Sequence, residues 1–266
     1  MLKYSVNQIT LPGTTFEEDI RLLSRLGAPA VGVLRHKLAG PGAAAGAKLI
    51  ADAGLGVSVL LGLGGFRLED PSTWPATFDD MRSALDDAAT IGAGHLLLSS
   101  GPPGALSYEE AEARFREILA TALPEAADRG VPFAFEPNHA LRVDLGYVHS
   151  LHDGLDLADD VDSPWFSVIV ETNNCWIERH LYDNLANRSN RVGLVQINDF
   201  AAGTLSTPNR VPLGEGIIPL PRILGALVDA GYGGYFEIEV VGPTVERLGG
   251  EETTRRCIDY LTRLGL

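Results

Sequence analysis

The stretch FSVIVETNNCWIERHLYDNLANRSNRVGLVQIND, residues 166–199, contains one complete strand–helix–strand pattern. It begins with the apolar, β-rich run FSVIVET (166–172) and ends with a second such run, VGLVQIND (192–199). Between them, LYDNLANRS has the apolar spacing that is typical of a helix. Because both strands read as nearly continuous apolar runs, we expect them to be buried on both faces, as in a parallel sheet.

The same alternation extends over the whole chain. Helical patterns such as TFEEDIRLLSRLG separate the candidate strands, and several begin with Thr or Ser before acidic residues and end on Gly. Eight strand–helix units in about 250 residues predict an α/β fold, a single (β/α)8 TIM barrel. No stretch rich in Pro, Ser or charge splits the chain, so we predict one domain over residues 1–266. The predicted strands cover residues 4–10, 30–36, 57–63, 95–101, 131–137, 166–172, 192–199 and 235–242.

Composition and charge argue against several classes of function. The formal net charge is −14, which repels a phosphate backbone, so we expect no nucleic-acid partner. No apolar run has the length of a membrane helix or a signal peptide, so we expect no membrane partner. The two cysteines, Cys175 and Cys257, have neither a disulfide-framework nor a zinc-knuckle spacing. A reducing cytoplasm fits these features best.

Polar residues at the ends of the later strands are the candidates for chemistry, because the active site of a TIM barrel lies at the carboxyl ends of its strands. These residues are Glu136, Glu171, Gln196 and Glu239. Several carboxylates that converge inside a barrel are costly unless a cation compensates their charge. Oxygen ligands from three Glu and one Gln suit a hard ion, Mn²⁺ or Mg²⁺, with Co²⁺ and Zn²⁺ as alternatives. Glu237 shares the face of Glu239 by the two-residue strand period, and it is either a partner that supports the ligand or the ligand of the last strand itself.

Three histidines lie near strand ends. We predict that His36, after the second strand, and His139, after the fifth, contact substrate. His95 begins its strand instead, which places it at the bottom of the barrel and predicts a structural role.

The strand ends resemble those of the xylose isomerase-like TIM barrels, a superfamily of sugar-phosphate isomerases and epimerases. FAFEPNH matches the family strand that carries a Glu ligand followed by Pro, and VQINDF matches the hydroxypyruvate isomerase-like form, with Gln196 and then Asp199. The last ligand of the family follows a GYxG motif, as Glu239 does in GYGGYFEIEVVGP. Two positions depart from the family pattern: Glu171 stands in place of Asp, and Asn174 stands in place of a His that contacts substrate.

The resemblance implies a divalent-metal-dependent isomerase or epimerase that acts on a sugar-like hydroxy-carbonyl substrate. Glu136 and Glu239 would be both metal ligands and the acid and base, removing the proton beside the carbonyl to give a metal-stabilised enediolate. Arg210, which precedes a GxG turn as in the family, would bind the substrate, together with Asn174 and Asp199. A small-molecule substrate and a homodimer are the partners that the resemblance implies.

Other functions stay open at this point. The changes at Glu171 and Asn174 favour a lyase or dehydratase that acts on a keto-acid, keto-sugar or glycoside-derived substrate. A catalytically silent barrel, acting as a binding module or partner subunit, would need no metal. A DNA-repair endonuclease of the same superfamily is the weakest alternative, because the strand ends carry few His and the net charge opposes DNA.

Overall fold

The strands of the protein close into a parallel barrel. The computed structural model describes residues 2–63, 65–203 and 209–265. Its strands are β1 (Tyr4–Asn7), β2 (Ala30–Leu34), β3 (Gly56–Leu61), β4 (Leu96–Leu98), β5 (Phe133–Phe135), β6 (Phe166–Glu171), β7 (Val192–Ile197), β8 (Asp199–Phe200), β9 (Arg210–Val211) and β10 (Phe236–Ile238). Strands β1 to β7 pair in chain order, and β10 closes the barrel between β7 and β1. The predicted (β/α)8 barrel is confirmed.

Helices follow the strands and surround the barrel. Two of them begin at capping boxes that the sequence contains, Thr15 with Glu18 and Ser107 with Glu110. Among the described residues, no helix combines the length and the apolar character that a membrane crossing requires. The helices are α1 (Phe16–Arg25), α2 (Arg35–Leu38), α3 (Ala43–Asp52), α4 (Trp74–Ile91), α5 (Tyr108–Arg129), α6 (Leu151–Val161), α7 (Thr172–Cys175), α8 (Leu181–Arg188), α9 (Leu220–Asp229), α10 (Pro243–Leu248) and α11 (Gly250–Leu264), with 3-10 turns at Gln8–Thr10, Pro71–Thr73 and Ser189–Arg191.

The barrel interior is partly apolar and partly polar. Its apolar cluster is separate from the core between strands and helices, because successive strand residues point to opposite faces. Fully buried polar side chains contact one another beside it, and they include Asn7, Gln196 and Glu237. The apolar interior cluster contains Leu34, Val59, Leu61, Ala134, Ile169 and Leu194.

The predicted strands are confirmed, but most of them end earlier than predicted. Glu136 is the first residue after β5, and Glu239 is the first residue after β10. At β6 the cause is local, because the carboxylate of Glu171 accepts the backbone N–H of Asn174 at 2.7 Å and so begins α7. Strands β5, β6 and β10 therefore end where a glutamate reaches the mouth of the barrel.

A short antiparallel hairpin, β8–β9, was not predicted from the sequence. In it Phe200 pairs with Arg210. The carboxylate of Asp199 fixes the chain that follows, because it accepts the backbone N–H groups of Gly214 at 3.0 Å and Gly216 at 2.9 Å. A side chain at Gly216 would place its Cβ 2.1 Å from Asp199 Oδ1, so this close approach requires glycine. The hairpin and its anchored loop carry Arg210 to the barrel mouth.

His95 lies at the opposite end of the barrel, immediately before β4, where the sequence predicted it. Burial lowers the pKa of His95 to about 4, and a backbone hydrogen bond with Ser58 opposes this only in part. The imidazole is therefore neutral near pH 7.

Candidate active site

Three glutamates and one arginine meet at the carboxyl-terminal mouth of the barrel. We call Glu136, Glu171, Glu239 and Arg210 the mouth cluster. Arg210 Nη2 lies 2.8 Å from Glu171 Oε1, and its Nη1 donates to Glu239 Oε2 and, at 3.1 Å, to the Glu239 backbone oxygen. Arg210 is only 8% exposed. Burial lowers the pKa of Arg210, but the charges of Glu171 and Glu239 outweigh this effect and raise the pKa above its usual value.

Glu171, at the end of β6, is held by donors on both carboxylate oxygens. Its Oε1 accepts from Asn198 Nδ2 as well as from Arg210, and its Oε2 accepts the Asn174 N–H. Strand pairing places Glu171 directly beside Gln196 on β7. The side chain that replaces the expected Asp is thus buried, 2% exposed, and fully engaged as an acceptor.

Glu136 keeps some exposure to solvent at the mouth. Burial raises the pKa of Glu136 to about 8, and the charges of Glu239 and Glu171 add to this effect. Arg210 and a hydrogen bond with Asn138 oppose it. A carboxyl group with such a pKa can accept and donate a proton near neutral pH.

The two glutamates of the last barrel strand occupy different levels. Glu239 belongs to the mouth cluster, where burial raises its pKa and Arg210 lowers it. Glu237 is completely buried deeper in the barrel, and it accepts hydrogen bonds from Asn7 Nδ2 at 3.0 Å and Ser58 Oγ at 2.9 Å. Burial, followed by the charge of Glu239, raises the pKa of Glu237 to about 7. The geometry favours Glu239 over Glu237 as the group that faces a ligand.

Gln196 has an acceptor without a partner. Its Nε2 donates to Glu237 Oε2 at 3.2 Å, whereas its buried Oε1 has no hydrogen-bond partner within the part of the chain that the structure describes. An unpaired buried acceptor is costly, so a donor or a cation is expected there. The amide oxygen and the carboxylates of the mouth cluster are the ligand types that hard divalent ions prefer.

The carboxylates do not surround a common point as they stand. Over residues 2–63, 65–203 and 209–265, no three or more His, Cys, Asp or Glu side chains are arranged to hold a metal ion. Arg210 lies between Glu171 and Glu239 and pairs with both. The donor chemistry fits a divalent ion if the guanidinium leaves at least one of these carboxylates.

The remaining residues of the predicted site lie in different settings. Asn174 borders the cluster, and its Nδ2 donates to the Pro137 backbone oxygen at 3.1 Å. His139 is partly buried; burial lowers its pKa, and the charges of His149 and Arg210 contribute. The carboxylate of Asp199 is occupied by backbone N–H groups, so its observed role is to hold the loop.

His36 is not brought to the mouth cluster. It is exposed in α2 and lines a separate surface pocket of about 400 Å³. Arg35, which lines the same pocket, pairs with Asp80 and with Asp87. The pocket lining includes no residue of the mouth cluster.

The family model described as the xylose isomerase-like TIM barrel matches residues 20–264 of the chain. The chain belongs to the xylose isomerase-like TIM barrel family. The L-ribulose-5-phosphate 3-epimerase UlaE of Salmonella paratyphi A is 25% identical over 194 residues, which are 71% of this chain and 64% of that protein. The chain therefore aligns with somewhat less than two thirds of this relative.

Solved structures of the same fold cover nearly the whole chain. Protein SMc04130 from Sinorhizobium meliloti 1021 has a TM-score of 0.91 and 26% identity, with 98% of each chain covered. The IolI protein, solved with a bound zinc atom, has a TM-score of 0.87 and 16% identity, with 99% of this chain and 98% of IolI covered. The IolI similarity shows that the fold is shared.

Sequence reasoning missed one residue that contacts the cluster of this xylose isomerase-like barrel. Asn198 is completely buried and donates to Glu171. The strand period contains a signal for it, because Asn198 lies two residues after Gln196 and so shares its face. Of the residues that contact Glu237, Asn7 ends β1 and so has the strand-end signal, whereas Ser58 lies inside β3 and carries no comparable signal.

Proposed function

We propose that the protein is a divalent-metal-dependent isomerase or epimerase that acts on a sugar-like hydroxy-carbonyl substrate. The observation that carries this proposal is Glu136, a carboxyl group at the barrel mouth whose pKa burial raises to about 8 beside two further buried glutamates. Such a group can remove a proton from a carbon next to a carbonyl and return it near neutral pH.

Glu136 and Glu239 are the proposed acid and base. They follow β5 and β10, which are separated by β6 and β7 around the barrel. Groups on strands that lie apart around a closed barrel approach a bound substrate from different sides. One carboxylate can therefore take a proton while the other returns one, either to the opposite face or to the neighbouring carbon.

Glu136, Glu171, Gln196 and Glu239 are the proposed metal ligands. A bound divalent ion would stabilise the negative charge that develops on the substrate oxygens. The ion pairs of Arg210 with Glu171 and Glu239 hold these carboxylates together without the ion. If Arg210 leaves one of them, its guanidinium becomes available to hold the substrate through paired hydrogen bonds.

The name of the UlaE relative supports a sugar-like substrate, since it is described as an L-ribulose-5-phosphate 3-epimerase. The fold also agrees, because TIM barrels place variable loops around the strand ends where substrate binds. We propose a ketose or ketose phosphate of five or six carbons as the first class to test.

The test follows solvent deuterium. Purified protein loaded with Mn²⁺ is incubated in D₂O with ketopentoses, ketohexoses and their phosphates, and the products are analysed by NMR. We expect deuterium to enter the carbon next to the carbonyl without loss of water. Glu136→Gln and Glu239→Gln should each lower the exchange rate by about a hundredfold or more, as loss of a catalytic acid or base does.

The matched control is Lys48→Ala, because Lys48 is an exposed residue of α3 that pairs with Asp52 and belongs to no part of the proposed site. This variant should exchange deuterium at nearly the rate of the unsubstituted protein. A new enone absorbance with release of water would instead identify a dehydratase. Exchange that survives in Glu136→Gln and Glu239→Gln would show that other residues carry the reaction.

A further inference from the structure

We propose that Glu237 is a positioning residue, which fixes the side-chain amide of Gln196 with its carbonyl oxygen turned toward the mouth cluster. The role of Gln196 as a metal ligand in this inference rests on the proposed function. The orientation of the amide is a property of the metal-free protein and can be tested separately.

The barrel interior has a niche shaped for the Glu237 carboxylate. Glu237 Oε1 accepts the Ser58 hydroxyl at 2.9 Å, and Oε2 accepts Asn7 Nδ2 at 3.0 Å. On the neighbouring side, a Cβ added to Gly32 would lie 1.9 Å from Glu237 Oε1. The carboxylate therefore occupies space that any other residue at position 32 would fill, and its position is closely defined.

The direction of the hydrogen bonds is set by the backbone. Asn7 Oδ1 accepts the backbone N–H of Ile9 at 3.0 Å, and a backbone N–H can only donate. The Asn7 amide is thereby oriented with its Nδ2 toward Glu237. The same Glu237 oxygen, Oε2, that accepts from Asn7 Nδ2 also accepts from Gln196, whose Nε2 donates to it at 3.2 Å.

The amide oxygen of Gln196 is consequently directed away from Glu237. Strand pairing places Gln196, on β7, between Glu237 on β10 and Glu171 on β6. Its Oε1 is buried and unpartnered among the described residues. If the amide were reversed, Nε2 would be the group that faces the cluster, and an N–H donor cannot bind a cation.

Among the described residues, no hydrogen bond or ion pair joins Glu237 to the mouth cluster. Its hydrogen-bond partners are Asn7, Ser58 and Gln196. Glu239, two residues later, is the strand-end glutamate that pairs with Arg210. Glu237 thus acts through Gln196, in the way that outer hydrogen-bond partners orient metal ligands.

The first experiment observes the amide in the metal-free protein. The side-chain NH₂ signals of Gln196 are assigned in a ¹⁵N–¹H spectrum from their loss in Gln196→Ala. We expect two separated, slowly exchanging proton signals in the unsubstituted protein and in Glu237→Gln. In Glu237→Met these signals should move and exchange faster, and unchanged signals in Glu237→Met would overturn the proposal.

Glu237→Gln is the matched variant, because it retains an acceptor oxygen for Asn7 and Gln196. Its new NH₂ group can donate to Ser58 Oγ, whose own proton can turn to the Val31 backbone oxygen, 3.3 Å away. Glu237→Met has a similar length but no acceptor. The pair therefore separates loss of the acceptor from loss of the negative charge.

The second experiment measures Mn²⁺ affinity by calorimetry. Glu237→Gln should bind within about threefold of the unsubstituted protein because the acceptor is retained, and Glu237→Met should bind about 10- to 100-fold more weakly. In a Gln196→Ala background, Glu237→Met should cause no further loss, as expected of residues that act as one unit. Equal losses in Glu237→Gln and Glu237→Met, or a full additional loss without Gln196, would overturn the proposal.

The two experiments fail in different ways. If the unsubstituted protein binds no divalent ion, the proposed function is wrong, and the NMR result alone decides the role of Glu237. Should Glu237→Met fail to fold, as judged by circular dichroism, Glu237→Leu replaces it as the variant without an acceptor: signals of Gln196 that move and exchange faster support the proposal, and unchanged signals overturn it.

Discussion

At the residue scale, Arg210 is the internal counter-ion of the mouth cluster. It is buried and pairs with Glu171 at 2.8 Å and with Glu239. Breaking a buried ion pair by removing one partner costs about 3–5 kcal/mol, because the remaining charge is left uncompensated. Here the loss would leave more than one carboxylate without a cation.

We therefore expect Arg210→Met to unfold at a clearly lower urea concentration than the unsubstituted protein in the presence of EDTA. The loss of folding free energy should be about 3 kcal/mol or more. Added Mn²⁺ should recover part of the loss, because it can compensate the same carboxylates. The control is Arg116→Met, which breaks more exposed pairs with Glu112 and Asp160 and should cost about 1 kcal/mol or less. Equal losses in both variants would contradict this account.

Glu136 predicts a pH dependence of stability in the metal-free protein. Its pKa rises from an ordinary value of 4.5 to about 8 in the folded state. Between these values the folded protein binds more protons than the unfolded chain, so stability falls as pH rises through this window. Glu136→Gln should remove this fall, and its stability relative to the unsubstituted protein should increase from about pH 5 to about pH 8.

The measurement is urea unfolding in EDTA at several pH values. Glu117→Gln is the control, since Glu117 lies on the surface beside Arg114. A difference between Glu136→Gln and the unsubstituted protein that stays constant with pH would show that Glu136 titrates normally.

At the element scale, the sequence predicted the barrel strands well and the polar hairpin not at all. Strands β1 to β7 and β10 have strong apolar patterns because they are buried on both faces. The β8–β9 hairpin has strands of two residues each, and its anchor is a carboxylate bound to backbone N–H groups. Such contacts form only after the chain has folded, so no local pattern reports them.

The hairpin gives an element-scale prediction at Asp199. The carboxylate is 1% exposed and accepts the backbone N–H groups of Phe200, Gly214, Gly216 and Ile218. In Asp199→Asn, one side-chain oxygen becomes an NH₂ group that faces backbone donors. We expect a loss of about 2–4 kcal/mol in urea unfolding, from lost charged hydrogen bonds and unsatisfied N–H groups.

The loop should also open locally. Hydrogen exchange at residues 210–218 should become faster in Asp199→Asn than in the unsubstituted protein. Asp259→Asn is the control, because Asp259 forms a single long surface pair of 3.8 Å with Arg255. Unchanged exchange at residues 210–218 would mean that other contacts hold the loop.

At the scale of the whole molecule, the sequence predicts the fold more completely than it predicts which residues form the site. Strand-end position identified Glu136, Glu171 and Glu239, which the structure brings together with Arg210. The same rule selected His36, which is exposed in α2 and lines another surface pocket, so its contact with substrate stays a prediction. Position along the chain predicts which end of the barrel a residue reaches, whereas side-chain direction depends on the local turn.

The whole barrel should respond to a divalent ion, because its mouth cluster draws carboxylates from the residue after β5, the end of β6 and the residue after β10. Binding to the folded state alone at a concentration a hundredfold above Kd stabilises it by about 2.7 kcal/mol. For a chain of this size, that corresponds to a rise in Tm of about 5–10 °C. Thermal unfolding of EDTA-treated protein, with and without Mn²⁺, measures this rise in Tm.

The double variant Glu136→Gln/Glu239→Gln should lose most of the rise in Tm, since two proposed ligands become weaker neutral amides. A rise of equal size in the double variant would place the ion elsewhere, and no rise in the unsubstituted protein would refute the metal site.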